Sequence, residues 1–80
     1  GTVYVNGKKF IKPAATYSMS SAERSYFVLG NLAAAYQNGH SKQQATASGG
    51  TLYLGPQNIM TPVNGDPSAE ELAAQLNKIK

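Results

Sequence analysis

The sequence predicts a small α+β domain in which an N-terminal β-hairpin and a third short strand pack on a central α-helix, followed by a short C-terminal α-helix. Three observations predict this class. An Asn-Gly pair separates two short runs rich in β-branched and aromatic residues near the start of the chain. One long segment carries apolar residues at helical spacing, and a second segment near the end begins with strong helix-start signals. The 80 residues are expected to form one domain, residues 1–80.

Residues 2–11 are predicted to form the hairpin. Asn6 and Gly7 favour a two-residue turn, because both turn positions require a positive φ. A turn of this length places Val3 opposite Phe10. The expected core face carries Val3, Val5 and Phe10, and the expected outer face carries Tyr4, Lys9 and Ile11.

Residues 20–38 are predicted to form the central helix. Ser20 and Glu23 have the spacing of a capping box, in which each side chain accepts a hydrogen bond from the backbone amide of the other residue. Gly39 is expected to help end the helix in a left-handed conformation. An apolar stripe at helical spacing is expected to face the core and consists of Ala22, Tyr26, Leu29, Ala33 and Tyr36.

Phe27 lies well away from this stripe, on the side of Asn31 and Ala34. Phe27 is expected either to be buried under the hairpin or the C-terminal helix, or to make an interface contact. Gly30 costs about 1 kcal/mol relative to alanine in a helix. Its small size, continued by the alanines that follow it, indicates that another backbone approaches closely there, in this chain or in a neighbouring subunit.

The region between the two helices is mostly polar. Residues 40–50 are predicted to form a flexible surface loop, because they contain no large apolar side chain whose burial would offset the entropy of ordering. Residues 51–54 are predicted to form the third strand, which a Gly-Pro pair ends. Residues 57–64 are expected to be irregular, with room for one more short extended piece.

Residues 68–79 are predicted to form the C-terminal helix. Its start is expected either at Ser68, with Glu71 completing a capping box, or at Asp66, with Pro67 at the first helical position. Its apolar stripe consists of Ala69, Leu72, Ala73, Leu76 and Ile79. This stripe is expected to dock on the core or on a neighbouring subunit.

The composition limits the kinds of site the chain can form. It contains no cysteine and a single histidine, so a disulfide and a thiolate metal site are excluded, and neither a metal site nor a cofactor is expected. Charged residues make up 14%, against roughly 25% in an ordinary soluble domain. Interface cores are depleted of charge, so this composition favours a subunit of an assembly over a polar monomer.

No pattern in the sequence indicates an enzyme. The chain has four acidic residues, and their positions fit helix starts or turns better than general acid–base work. His40 lies beside the predicted flexible loop, which would not hold a catalytic base in place. No nucleophile elbow and no phosphate-binding glycine loop occurs. We therefore predict a non-enzymatic protein without a small-molecule substrate.

The leading functional prediction is a structural or interaction protein, a small subunit that decorates or staples a larger assembly by self-assembly or by binding a protein partner. A virion accessory or capsid decoration protein is the specific type that we favour, and an inhibitor or adaptor is an alternative. Neither a signal peptide nor a membrane span is recognised, which predicts an intracellular or virion-associated protein. The candidate interface residues are Phe27, Gly30, Ala34, Leu72, Leu76 and Ile79.

A second alternative is a small basic module that binds nucleic acid through the hairpin. The net charge is +3, and the hairpin carries, among its lysines, the aromatic residues Tyr4 and Phe10, which could stack on bases. Against this alternative, lysines on a strand edge commonly serve to discourage strand pairing. The candidate contacts are Lys8, Lys9, Lys12 and Lys42.

Overall fold

The computed structural model describes all 80 residues and confirms the α+β class, with two sheets and two helices. In chain order the elements are β1 (Val3–Val5), β2 (Lys8–Ile11), α1 (Ser21–Gln37), β3 (Ala45–Ser48), β4 (Thr51–Leu54), β5 (Gln57–Met60) and α2 (Ala69–Ile79). Strands β1 and β2 form one antiparallel sheet, and β3, β4 and β5 form a second antiparallel sheet in that order. Helix α1 contacts β5 and β1, whereas α2 contacts β3, β4 and β2.

The hairpin has the predicted turn but a different register. Asn6 and Gly7 both adopt positive φ, 51° and 75°. A bulge between Val3 and Tyr4 then pairs Val3 with Ile11, so the predicted pairing with Phe10 is wrong. The bulge adds one residue to β2, and consequently both Phe10 and Ile11 are buried. Ile11, expected on the outer face, is part of the core.

The prediction of a flexible loop over residues 40–50 is wrong for its second half, which forms β3. This strand pairs with β4 from Ala45 to Ser48. Gly49 and Gly50 supply the turn between the two strands, with φ of 57° and 78°. Two adjacent glycines between short runs are a hairpin signal, and the small side chains of β3 obscured it.

An asparagine of α2 holds the outer edge of β3. The backbone N–H of Ala45 donates to Asn77 Oδ1 at 2.8 Å, and Asn77 Nδ2 donates to the carbonyl of Ala45 at 2.9 Å. The side-chain amide therefore occupies both backbone hydrogen-bonding groups of Ala45, much as a neighbouring strand would. This contact comes from a residue 32 positions away, which local patterns cannot indicate.

We expect Asn77→Ala to release the start of β3 from α2 and to lower the free energy of unfolding by about 1–3 kcal/mol, because two backbone groups lose their partners. Amide hydrogen exchange at Ala45 should accelerate more than exchange in β5. Lys78→Ala is the matched control, since it changes a neighbouring exposed residue of the same helix. Unchanged protection at Ala45 in the Asn77 variant would contradict the role assigned to the amide.

Helix α1 begins at the predicted capping box. Glu23 N–H donates to Ser20 Oγ at 3.1 Å, and Ser20 N–H donates to Glu23 Oε1 at 2.9 Å. The equivalent pair at the start of α2 has distances of 3.0 and 3.1 Å and joins Ser68 to Glu71, so the alternative start at Asp66 is not the one adopted. Both boxes depend on residues three positions apart, and local spacing was sufficient to predict them.

The side of α1 that packs on the rest of the chain differs from the predicted one. The buried residues of α1 are Arg24, Ser25, Val28, Leu32 and Ala35. The residues of the predicted stripe lie on the other side, and Tyr26 is 73% exposed. The true core side contains an arginine and a serine, which made it resemble a solvent side in the sequence. The core itself unites both sheets and both helices, with Leu52, Leu54, Ile59, Leu72 and Leu76 among its most buried members.

Candidate functional site: the outer face of helix α1

Four of the seven large apolar residues that remain exposed lie on α1, and we call this side of the helix the outer face. It consists of Ala22, Tyr26, Phe27, Leu29, Gly30, Ala33, Ala34 and Tyr36. Phe27 is 66% exposed and Leu29 is 51% exposed. Within the helix the only charged residues are Glu23 and Arg24, and Arg24 is buried. The outer face thus presents aromatic and small side chains with one carboxylate at its N-terminal end.

Strand β1 extends the outer face through Tyr4, which is 60% exposed. An open groove of about 250 Å³ runs between Tyr4 and Asn6 on the hairpin and Leu29, Ala33 and Tyr36 on the helix. A second hollow between the N-terminal residues and the first turns of α1 continues past Tyr4. Hairpin and helix therefore form one continuous surface lined by tyrosines.

A further groove borders the outer face on the side of β5. Its volume is about 290 Å³, and Phe27 and Asn31 line it together with Asn58 and Met60. Asn31 Nδ2 donates to the carbonyl of Ile59 at 2.8 Å, so the helix covers part of the free edge of β5. Phe27 lies at the rim of this groove. The expectation that it is buried under the hairpin or α2 is therefore wrong.

The structure separates the six candidate interface residues into two groups. Phe27 and Gly30 lie exposed on the outer face, and Ala34 is half-buried beside them. No atom lies within 4 Å of the position that a Gly30 Cβ would occupy, so the expected close approach of another backbone does not occur within this chain. The three candidates on α2, Leu72, Leu76 and Ile79, are buried in the core of this chain, which is one of the two expectations for that helix.

The four candidate lysines for nucleic acid are all exposed: Lys8, Lys9, Lys12 and Lys42. Phe10, one of the two aromatic residues expected between them, is only 5% exposed and cannot stack on a base. Tyr4 remains exposed and pairs across the hairpin with Lys9. The lysine-rich surface therefore retains one aromatic residue.

A buried ion pair joins three separate segments and was not predicted. Arg24 Nη1 donates to Asp66 Oδ2 at 2.8 Å and to the carbonyl of Ala14 at 2.7 Å, and a longer contact of 3.4 Å joins Nη2 to the carbonyl of Thr61. Asp66 also accepts hydrogen bonds from the backbone N–H groups of Ala14, at 2.7 Å, and Val63, at 3.0 Å. The Asp66 side chain is fully buried. The pair thus fixes the connector before α1 and the turn before α2 against the helix.

The environment of Asp66 favours its ionised form. Burial raises the pKa of this carboxyl, but the amides of Ala14 and Val63 and the Arg24 guanidinium together outweigh burial, and the pKa lies below its usual value of 3.8. The exposed carboxyls of Glu23 and Glu71 also have a lowered pKa, because the serine amides and hydroxyls of their capping boxes donate to them. Three of the four acidic residues are therefore held in structural hydrogen bonds.

We expect the free energy of unfolding to fall steeply once the pH drops below about 4.5, the usual pKa of the glutamate carboxyls. A folded pKa below the unfolded pKa contributes stability above the unfolded value, and this contribution is lost as the pH falls through the folded pKa. Urea unfolding between pH 2.5 and 7, monitored by circular dichroism, measures the effect. Asp66→Asn should flatten part of this dependence, and an identical pH profile for the variant would contradict the assignment.

No family model, curated protein or solved structure matches this chain. Its function is therefore inferred from its own surface. Neither helix is long and apolar enough to cross a membrane. No group of three or more histidine, aspartate and glutamate side chains is arranged to hold a metal ion. The outer face of α1 is the feature that none of the internal packing explains.

Proposed function

We propose that this chain is a non-enzymatic structural or interaction protein, a small subunit that decorates or staples a larger assembly. The single observation that carries the proposal is the outer face of α1. Scattered exposed apolar residues are ordinary on protein surfaces, but a contiguous group of large ones commonly marks an interaction site. Aromatic residues are enriched and charged residues are depleted at the centres of protein interfaces, and the outer face has this composition.

The low charge and small size of the domain favour a decorating component over an independent enzyme. A virion accessory or capsid decoration protein is our leading specific proposal. An inhibitor or adaptor would use the same surface and is the nearest alternative, since recognition of one target also needs an apolar, weakly charged patch. These types differ in the identity and stoichiometry of the partner, which co-purification measures directly.

The test is co-purification of the tagged chain from its native source with the outer face intact or altered. Tyr26→Ser should abolish recovery of the partner, because it removes a large exposed aromatic side chain from the centre of the surface. Tyr17→Ser is the matched control, since Tyr17 is fully exposed on the connector before α1, outside the outer face. A monomeric mass by light scattering together with no partner in the pull-down would refute the proposal.

Nucleic-acid binding by the hairpin is the second proposal, and the exposure of Tyr4 across from Lys9 is the observation that favours it. It predicts that a single-stranded oligonucleotide binds at low salt and that its affinity falls steeply as salt is raised. Fluorescence anisotropy measures this affinity, and a Lys8→Ala, Lys9→Ala double variant should bind the oligonucleotide more weakly than wild type. Absence of binding at low salt removes this alternative.

A further inference from the structure

We propose that the outer face of α1 binds a second copy of this chain, with the two α1 helices crossing antiparallel on a two-fold axis at Gly30. This inference rests on the proposed function as an assembly subunit. It identifies a second copy of this chain as a partner of the outer face. Three properties of the outer face support it: the arrangement of large and small residues, the distribution of charge, and the exposed area.

Large and small residues are placed on opposite sides of Gly30. Tyr26 and Phe27 lie about one turn before it, and Ala33 and Ala34 lie about one turn after it. In an antiparallel pair with a two-fold axis at Gly30, Tyr26 of one copy lies opposite Ala34 of the other, and Phe27 lies opposite Ala33. In both of these contacts a large side chain packs over a small one, and the same patch serves both copies, as a two-fold interface requires.

Gly30 lies near the middle of the outer face and has no neighbour within 4 Å of its missing Cβ. A glycine in the middle of a helix is destabilising relative to alanine. At the crossing point of two helices, the missing side chain allows the axes to approach to roughly 8 Å, the short end of the usual range. The position of Gly30 is thus explained by a partner helix and by nothing within this chain.

Charge does not oppose this pairing, although each chain carries a net charge of +3. Glu23 is the single charged residue exposed on α1, and the two-fold axis places it opposite Gln37 of the other copy. No like charges therefore meet between the two α1 helices. The lysines of the hairpin and the lysines at the end of α2 lie on other elements, outside the α1 crossing.

The exposed area is also adequate for a dimer. The large residues that remain at least 40% exposed on or beside the outer face are Tyr4, Tyr26, Phe27, Leu29 and Tyr36. At about 150–250 Å² for a full aromatic side chain, they offer roughly 550 Å². The small residues between them bring the surface towards the roughly 800 Å² per partner of a standard interface. The grooves beside them are open and shallow, which suits a second helix better than an enclosed small molecule.

The first test measures the mass of the purified chain by light scattering and sedimentation from about 1 to 100 µM. Wild type is expected to form a dimer in this range. Gly30→Arg should raise the dissociation constant at least about 100-fold, because it places two like charges on the two-fold axis and blocks close approach. Arginine favours helix, so the variant should keep its circular dichroism spectrum. Ala74→Arg, at an exposed position of α2, is the matched control and should leave the dimer unchanged.

The second test uses the absence of native cysteine. Gly30→Cys should form a disulfide-linked dimer on mild oxidation, because the two copies of this residue meet on the axis. Tyr26→Cys should not, since its two copies would lie about 12 Å apart along the helices. Cross-linking of both variants would indicate a parallel arrangement and overturn the proposed geometry.

The outcomes separate this inference from the proposed function. A wild-type monomer at 100 µM, or a dimer that Gly30→Arg leaves intact, overturns the inference. If such a monomer still co-purifies with a different protein through Tyr26, the proposed function stands without the self-pairing. A dimer that is sensitive to Gly30→Arg but has no other partner supports the inference and removes the decorating role.

Discussion

Replacing Asp66 with alanine is expected to lower the free energy of unfolding by about 3–5 kcal/mol, the cost typical of removing one partner from a buried ion pair. The variant would leave the Arg24 guanidinium without its counter-charge. It would also leave the amides of Ala14 and Val63 without an acceptor. In a domain of 80 residues this loss is a large part of the total stability.

Urea unfolding monitored by circular dichroism measures the effect. Glu70→Ala is the matched control, because Glu70 is an exposed acid in the first turn of α2, and its removal should cost less than about 1 kcal/mol. A double-mutant cycle with Arg24→Met separates the pair from the rest of the network. The two single changes should be strongly non-additive, and simple additivity would show that Arg24 and Asp66 do not stabilise each other.

The same ion pair explains why the sequence indicated the wrong core side for α1. The residues on both sides of the helix have helical spacing, so periodicity alone left two candidates. Arg24 made the true core side look exposed, because a charged residue is rarely buried without a partner. Its partner lies 42 positions away, in a turn where an aspartate has several local explanations. Only the folded chain brings the two together.

Features set by neighbouring residues were predictable. The Asn6-Gly7 turn and the capping boxes at Ser20 and Ser68 depend on contacts within a few positions. Strand β3 was not predictable from its composition, because its extended conformation depends on backbone pairing with β4 and on the hydrogen bonds to the Asn77 side chain. Contacts between residues a few positions apart could be predicted from the sequence, whereas the Asn77–Ala45 contact, between residues 32 positions apart, could not.

The candidate site was recognised in part. Phe27 lies off the predicted core stripe, and Gly30 is an unfavourable residue within a helix; both lie on the surface. The predicted stripe is apolar but does not face the core. Its residues Tyr26, Leu29 and Tyr36 are exposed and belong to the same surface as Phe27 and Gly30. A sequence pattern reports which residues are apolar and cannot report which of two apolar sides finds a partner within the chain.

Leucines on the two helices provide the sharpest stability comparison. Leu76 on α2 is fully buried, and Leu29 on α1 is 51% exposed. We expect Leu76→Ala to lower the free energy of unfolding by about 2–5 kcal/mol, because it removes buried methyl groups and leaves a cavity in the core. For a domain of this size, the melting temperature should fall by at least about 10 °C.

Leu29→Ala is the matched control and should change the stability of the monomer by less than about 1 kcal/mol, since its side chain is largely solvated. Its effect should appear instead in association, because Leu29 lies on the outer face. Thermal unfolding at low concentration and light scattering at high concentration measure the two properties separately. If Leu76→Ala kept the wild-type melting temperature but weakened association, α2 would be an interface helix and its assignment to the core would be wrong. If Leu76→Ala lowers the melting temperature and Leu29→Ala weakens association, then α2 stabilises the domain and α1 forms the interface.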